Sequence, residues 1–190
     1  MLQLIYGEIA EAEADVIVNA ANGSGWMGGK RCRKELHRGV AEHLNFFSHS
    51  AIEKEALKAA RKYPHIISGI CGTQAGGFFT TGPGGLACRE VVHAVTMRRP
   101  GHKSSLESIR EVLPKIFRHC ADAGFRSVAI PYLGCGTGGL DKEKVYELIL
   151  RESEKYPGLE IRLYDFASEK MPKIGGSYEF KECDGCSIRR

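Results

Sequence analysis

A chain of 190 residues, 43% apolar, 26% charged and 8% aromatic, has the makeup of one ordinary globular domain large enough to bury a core. Its net charge of +4 admits an anionic ligand without pointing to nucleic acid, and no apolar stretch approaches the roughly 20 residues of a membrane helix. The N-terminal run Met1-Leu2-Gln3-Leu4-Ile5-Tyr6 is strand-like without a basic leader, and the seven cysteines, an odd number, show no disulfide-like spacing over the first 180 residues, so the expectation is a cytoplasmic chain with free thiols and no membrane partner.

In chain order, Leu2 to Tyr6 reads as a strand closed by Gly7-Glu8-Ile9. Val16 to Ala20 is a second strand, apolar on both faces and so expected inside a sheet. A helical stretch is expected from Lys30 to Leu44, and a clearer helix from Ala51 to Tyr63, stopped by Pro64. Gly69 to Gly85 holds seven glycines and Phe78-Phe79-Thr80, which suit short strands and turns. Glu90 to Val95 is a strand and Arg98 to Lys103 a polar loop. Leu106, Ile109, Leu113, Ile116 and Phe117 recur three and four apart, the period of an amphipathic helix that Gly124 ends. Ser127 to Leu133 is a strand, Asp141 to Tyr156 a helix with Asp141 as N-cap, and Glu160 to Phe166 a last strand. After Ala167 the chain turns polar and glycine-dotted, and a loose tail is expected.

Two apolar runs break straight into glycine-rich loops. Asp15-Val16-Ile17-Val18-Asn19-Ala20-Ala21-Asn22 is followed by Gly23, Gly25, Gly28 and Gly29. Ser127-Val128-Ala129-Ile130-Pro131-Tyr132-Leu133 is followed by Gly134-Cys135-Gly136-Thr137-Gly138-Gly139-Leu140. Such loops present backbone N–H groups to phosphate, and two of them suit a ligand with two phosphates. Asn19 and Asn22 fall at the end of the first strand, where an amide can hold ribose hydroxyls or simply shape a turn. The second loop lacks the lysine of a Walker pattern. Gly134, Gly136 and Gly139 meet the dinucleotide spacing, but late in the chain rather than at its first strand-helix turn.

These residues resemble a known family. Gly7-Glu8-Ile9, Val18-Asn19-Ala20-Ala21-Asn22, Met27-Gly28-Gly29, Val91-Val92-His93-Ala94-Val95 and the run Pro131 to Leu140 occur in the order found in macrodomains, the ADP-ribose-binding α/β/α domains. The resemblance runs from about residue 1 to 168. It implies an α/β fold, three-layer α/β/α, with a mixed six-stranded sheet over residues 1–168 and a tail over 169–190. It implies that Glu8, standing where the family has an aspartate, meets the adenine amino group beside Ile9. Asn22 would hold the distal ribose and is the one candidate catalytic residue, and Asn19, Ala21, Gly28 and Gly29 would be further ligand-binding positions. Gly134, Cys135, Gly136, Thr137, Gly138 and Gly139 would wrap the pyrophosphate. An aromatic at the end of the last strand, Tyr164 or else Phe166, would lie on adenine.

The chain also departs from the family's hydrolases. Those continue from the first loop with a third glycine, a valine and an acid that positions water. Here Gly29 is followed by Lys30-Arg31-Cys32-Arg33-Lys34, which puts Cys32 or Arg33 in the acid's place and leaves Glu35 two or three positions off. The basic run suits a solvated helix face, or extra charge near a diphosphate. Cys135 is read as a small loop residue and His93 as structural. Cys183-Asp184-Gly185-Cys186 has half the spacing of a zinc site, with no second pair nearby; no metal and no cofactor are expected. The expected function is recognition of ADP-ribose, free or protein-linked. Alternatives are a hydrolase acting on ADP-ribosylated substrates or on ADP-ribose 1″-phosphate, and a module for RNA or poly(ADP-ribose). A nucleic-acid partner is thus open but not favoured. A conventional dinucleotide-binding fold is a further class, disfavoured by the late glycine loop.

Overall fold

The structure is a computed structural model, and it describes residues 1–29, 39–62 and 72–165. Within them lie β1 (Leu2–Tyr6), a 3-10 turn (Ile9–Glu11), β2 (Val16–Asn22), α1 (Val40–Phe47), α2 (Ala51–Ala59), β3 (Phe78–Thr81) and β4 (Glu90–Met97). They are followed by α3 (Leu106–Asp122), β5 (Ser127–Pro131), α4 (Lys142–Ser153) and β6 (Glu160–Asp165).

One mixed six-stranded sheet has the order β1-β6-β5-β2-β4-β3. All neighbours are parallel except β3, which runs antiparallel to β4 at one edge. Side chains alternate across a strand, so β2 feeds two cores at once. Val16 and Val18 pack with Ile109, Leu113, Phe117 and Ile149 of α3 and α4, while Ile17 packs with Leu44, Ile52 and Ala56 of α1 and α2. That double burial is why the run reads as continuously apolar, and it makes the three-layer α/β/α architecture.

Local chemistry fixes the element ends. Asp141 caps α4 by accepting from the Lys144 N–H at 3.1 Å, and the Ser105 side chain accepts from the Ser108 N–H at the start of α3. The expected helix of residues 30–44 lies partly outside the described residues; α1 begins at Val40 and runs on to Phe47. α2 tightens into a 3-10 turn over Ala60–Lys62, ahead of the position expected for its end. β5 stops at Pro131, two residues before the expected end. The chain there folds into a turn closed by the Cys135 N–H on the Tyr132 carbonyl. Phe166, the basic run Lys30 to Lys34, Glu35 and the tail with Cys183 and Cys186 lie outside the described residues.

Candidate functional site

The carboxyl ends of β1, β6, β5, β2 and β4 line up along one rim of the sheet, where α/β folds place ligands. A cleft of about 590 Å³ runs along that rim. Glu8, Ile9 and Tyr164 line it beside β1 and β6, Ala21 and Asn22 in the middle with Gly28, and Gly134, Cys135, Gly136, Thr137 and Gly138 from the loop after β5. The structure therefore gathers most of the residues singled out from the sequence. Asn19, Gly29 and Gly139 are not among the lining residues.

Asn19 is fully buried within the sheet. Its Nδ2 donates to Nδ1 of His93 at 3.0 Å, which leaves the His93 Nε2–H to donate to Thr81 Oγ1, also at 3.0 Å. Thr81 in turn donates to the Gly82 carbonyl. His93 stacks on Phe79 with ring centroids 4.7 Å apart, and burial pushes its pKa from 6.5 down to about 3. This is a neutral polar row inside the sheet, not a ligand contact.

Strand geometry accounts for the difference between the two asparagines. Residues three apart in a strand face opposite sides, and Asn19 sits a full three residues back from the rim. Asn22 stands at the strand end and lines the cleft, at the point where pairing with β4 shifts register between Ala21 and Asn22. Asn22 also organises its own loop. Its Nδ2 donates to the Trp26 carbonyl at 2.7 Å, and its Oδ1 accepts from the Ser24 N–H and Oγ–H at 3.1 and 2.6 Å. One amide hydrogen remains for a ligand.

The first loop is held from behind by α1 and α2. Buried Glu53 accepts the Met27 and Gly29 N–H groups on one oxygen, at 2.7 and 2.9 Å, and Asn45 Nδ2 donates to the Gly29 carbonyl at 2.9 Å. Gly29 thus faces its support rather than the cleft. Among the described residues, the Gly28 N–H donates to no protein group.

The second loop is arranged to present donors. Its closing bonds are Leu140 N–H to the Gly134 carbonyl and Gly139 N–H to the Gly136 carbonyl, both 3.0 Å, with Ser104 N–H on the Gly138 carbonyl at 3.1 Å. The N–H groups of Gly136, Thr137 and Gly138 have no acceptor among the described residues. A Cβ on Gly136 would meet open space, whereas one on Gly138 would press on Ser104. Gly134 and Gly139 hold φ of +75° and +74°, values that suit glycine. These three adjacent donors lie in the loop that leads into α4, and a run of free N–H groups is the kind of feature that can accept an anion. Cys135 within that loop is no thiolate, since burial raises its pKa to about 11.

At the β1–β6 end, the Glu8 carboxylate accepts from the Ala10 N–H at 3.0 Å and pairs with His43 of α1. Lys142 pairs with Asp165 at 2.5 Å and lies 5.1 Å from the Tyr132 ring centroid. Burial raises the phenols of Tyr132 and Tyr164, which stay neutral. His43, Lys142, Asp165 and Trp26 line the cleft and were not singled out from the sequence. His43 meets Glu8 across 35 positions, which no local pattern signals. Trp26 did carry a signal, as the chain's one tryptophan within a glycine loop.

The family profile described as Macro domain matches residues 18–149. The chain belongs to this family. The macrodomain is 32% identical over 155 residues to an uncharacterised protein of Aquifex aeolicus (strain VF5), covering 82% of each chain. It is 31% identical over 154 residues to the O-acetyl-ADP-ribose deacetylase of Salmonella newport (strain SL254), covering 79% of this chain and 75% of that one. It is 28% identical over 166 residues to the DNA ADP-ribosyl glycohydrolase of Thermus aquaticus, covering 87% of this chain but 41% of that protein. Among solved structures, the macrodomain of Thermus aquaticus DarG superposes with a TM-score of 0.70 at 28% identity, covering 87% of this chain and 98% of that one.

Proposed function

We propose that this macrodomain binds ADP-ribose, free or attached to a larger molecule, in the cleft along the carboxyl ends of its strands. The observation that carries the reading is the run of unpaired N–H donors at Gly136, Thr137 and Gly138, beside a helix N-terminus in a cleft of about 590 Å³. In this reading those donors take the diphosphate, the Gly28 N–H and the remaining Asn22 amide hydrogen meet the distal ribose, and Tyr164 and Ile9 pack on the base. Glu8 acts there as a carboxylate already shared with His43 and the Ala10 N–H.

Isothermal calorimetry with ADP-ribose, ADP and AMP tests it. ADP-ribose is expected to bind at low micromolar Kd, about −8 kcal/mol, and AMP far more weakly because it lacks the second phosphate and ribose. Gly136→Glu places a carboxylate in the donor cradle and abolishes binding, while Gly136→Ala, with open space at that position, retains it. No heat with ADP-ribose from folded protein overturns the reading.

A second reading is hydrolysis of an ADP-ribosyl bond. It is favoured by the likeness to a deacetylase and to a glycohydrolase, each acting on an ADP-ribosyl compound by its name. Product release over time from ADP-ribosylated protein, DNA and O-acetyl-ADP-ribose separates it from recognition alone.

A further inference from the structure

Among the described residues, Lys142 is the one lysine or arginine that lines the cleft. It is the first residue of α4, close in sequence to the donor at Gly138. A site built only for anions leaves such a cation to its ligand. Here it is already engaged. Its Nζ donates to Asp165 Oδ1 at 2.5 Å, with the Tyr132 ring centroid 5.1 Å away. Asp165 lines the same cleft, and its side chain is only 20% exposed. Its other carboxylate oxygen, Oδ2, accepts from no group among the described residues.

The pair has a definite place on the rim. Asp165 ends β6 directly after Tyr164, and its carbonyl accepts the Gly7 N–H at 3.1 Å, next to Glu8. Tyr164 lies opposite Pro131 in the β5–β6 register, and Tyr132 follows. Lys142 therefore links the donor loop to the end of β6. In the reading above the base rests by Glu8, Ile9 and Tyr164, and the diphosphate on Gly136 to Gly138. What joins a base to its first phosphate is a ribose, and the Lys142–Asp165 pair stands between those two places.

A carboxylate there has a chemical preference. It only accepts hydrogen bonds, so it binds a hydroxyl and repels a phosphate, which brings acceptors and like charge. Dinucleotide sites use the same contrast: an acid holds a free ribose 2′-hydroxyl, and an arginine accommodates a 2′-phosphate. In this cleft the cation is bound to the acid. To serve a 2′-phosphate it has to leave Asp165 uncompensated.

We propose that Asp165, held by Lys142, is a specificity-determining residue: Oδ2 accepts a hydroxyl of the adenosine ribose, and the cleft rejects ADP-ribose phosphorylated at that 2′ position. The inference rests on the cleft reading above and adds which ADP-ribosyl compounds are admitted.

Calorimetry with ADP-ribose and 2′-phospho-ADP-ribose tests it on wild type, Asp165→Asn and Lys142→Met. Wild type is expected to bind the 2′-phosphate at least about tenfold more weakly. Asp165→Asn removes the negative charge at nearly constant shape and releases Lys142. It is expected to bring the two ligands within about threefold of each other, chiefly by tighter binding of the 2′-phosphate. Lys142→Met leaves the carboxylate uncompensated and is expected to widen the wild-type ratio by about threefold. General damage to the fold weakens both ligands together and does not move their ratio.

Failure of free ADP-ribose to bind overturns the cleft reading and this inference with it. Binding of ADP-ribose with the 2′-phosphate held equally well or better overturns this inference alone. So does a ratio that Asp165→Asn leaves unchanged, or one that fails to widen in Lys142→Met.

Discussion

Glu53 and Gly29 lie 24 residues apart in sequence, yet the Gly29 N–H rests 2.9 Å from Glu53 Oε1, the same oxygen that takes the Met27 N–H at 2.7 Å. The first loop is thereby shaped by a buried carboxylate on α2. Glu53→Ala leaves two enclosed N–H groups without a partner and is expected to cost about 3 kcal/mol of stability, since each such group costs about 1–3 kcal/mol. Glu53→Gln keeps an acceptor oxygen and is expected to cost about 1 kcal/mol. Urea unfolding reads both. Equal midpoints for wild type and Glu53→Ala would show that the bond does not hold the loop.

Gly136 and Gly138 stand two residues apart in the second loop and should respond differently to the same change. A Cβ at Gly138 collides with Ser104 Oγ and the Gly134 carbonyl, while at Gly136 it meets nothing within 4 Å. Gly138→Ala is expected to destabilise by about 1–3 kcal/mol and to weaken ADP-ribose binding. Gly136→Ala is expected to leave the melting temperature within about a degree of wild type. Similar destabilisation by both would mean that the loop is packed differently.

His93 gives the fold an acid sensitivity of its own. Buried and neutral, it resists protonation until about pH 3, whereas in the unfolded chain it titrates near 6.5. Below pH 6.5 the unfolded state takes up a proton that the folded state refuses. This contribution is therefore complete above 6.5 and is lost as pH falls, by about 1.4 kcal/mol per unit. Asp15 and Glu160, both held below their usual values, act only at lower pH. Between pH 6.5 and 5, wild type is expected to lose about 2 kcal/mol more than His93→Gln in denaturant titrations. Parallel pH profiles would place a charged imidazole in the fold.

Cys135 is expected to be a poor nucleophile despite its position between glycines. With its pKa at about 11 against the ordinary 9.0, its thiolate fraction at neutral pH is lower by about a hundredfold. Iodoacetamide should label its peptide correspondingly more slowly than a free thiol, read by mass spectrometry. Cys135→Ser is expected to keep ADP-ribose binding. Fast labelling at Cys135 would reverse this.

The sequence by itself determined the layers, most of the strands and the two loops. Those features depend on local chemistry: period-2 and 3.6 spacing, a capping Asp141, and glycines where the backbone turns. Tertiary structure decided which of the marked side chains face the cleft. Asn19 and Asn22 look alike in the run Val-Asn-Ala-Ala-Asn, yet Asn22 stands at the strand end, where pairing with β4 shifts register, while Asn19 lies inside the sheet and closes on His93. Glu53, Asn45 and His43 entered the site's construction from helices distant in sequence, because a buried donor or acceptor must find a partner wherever the fold brings one.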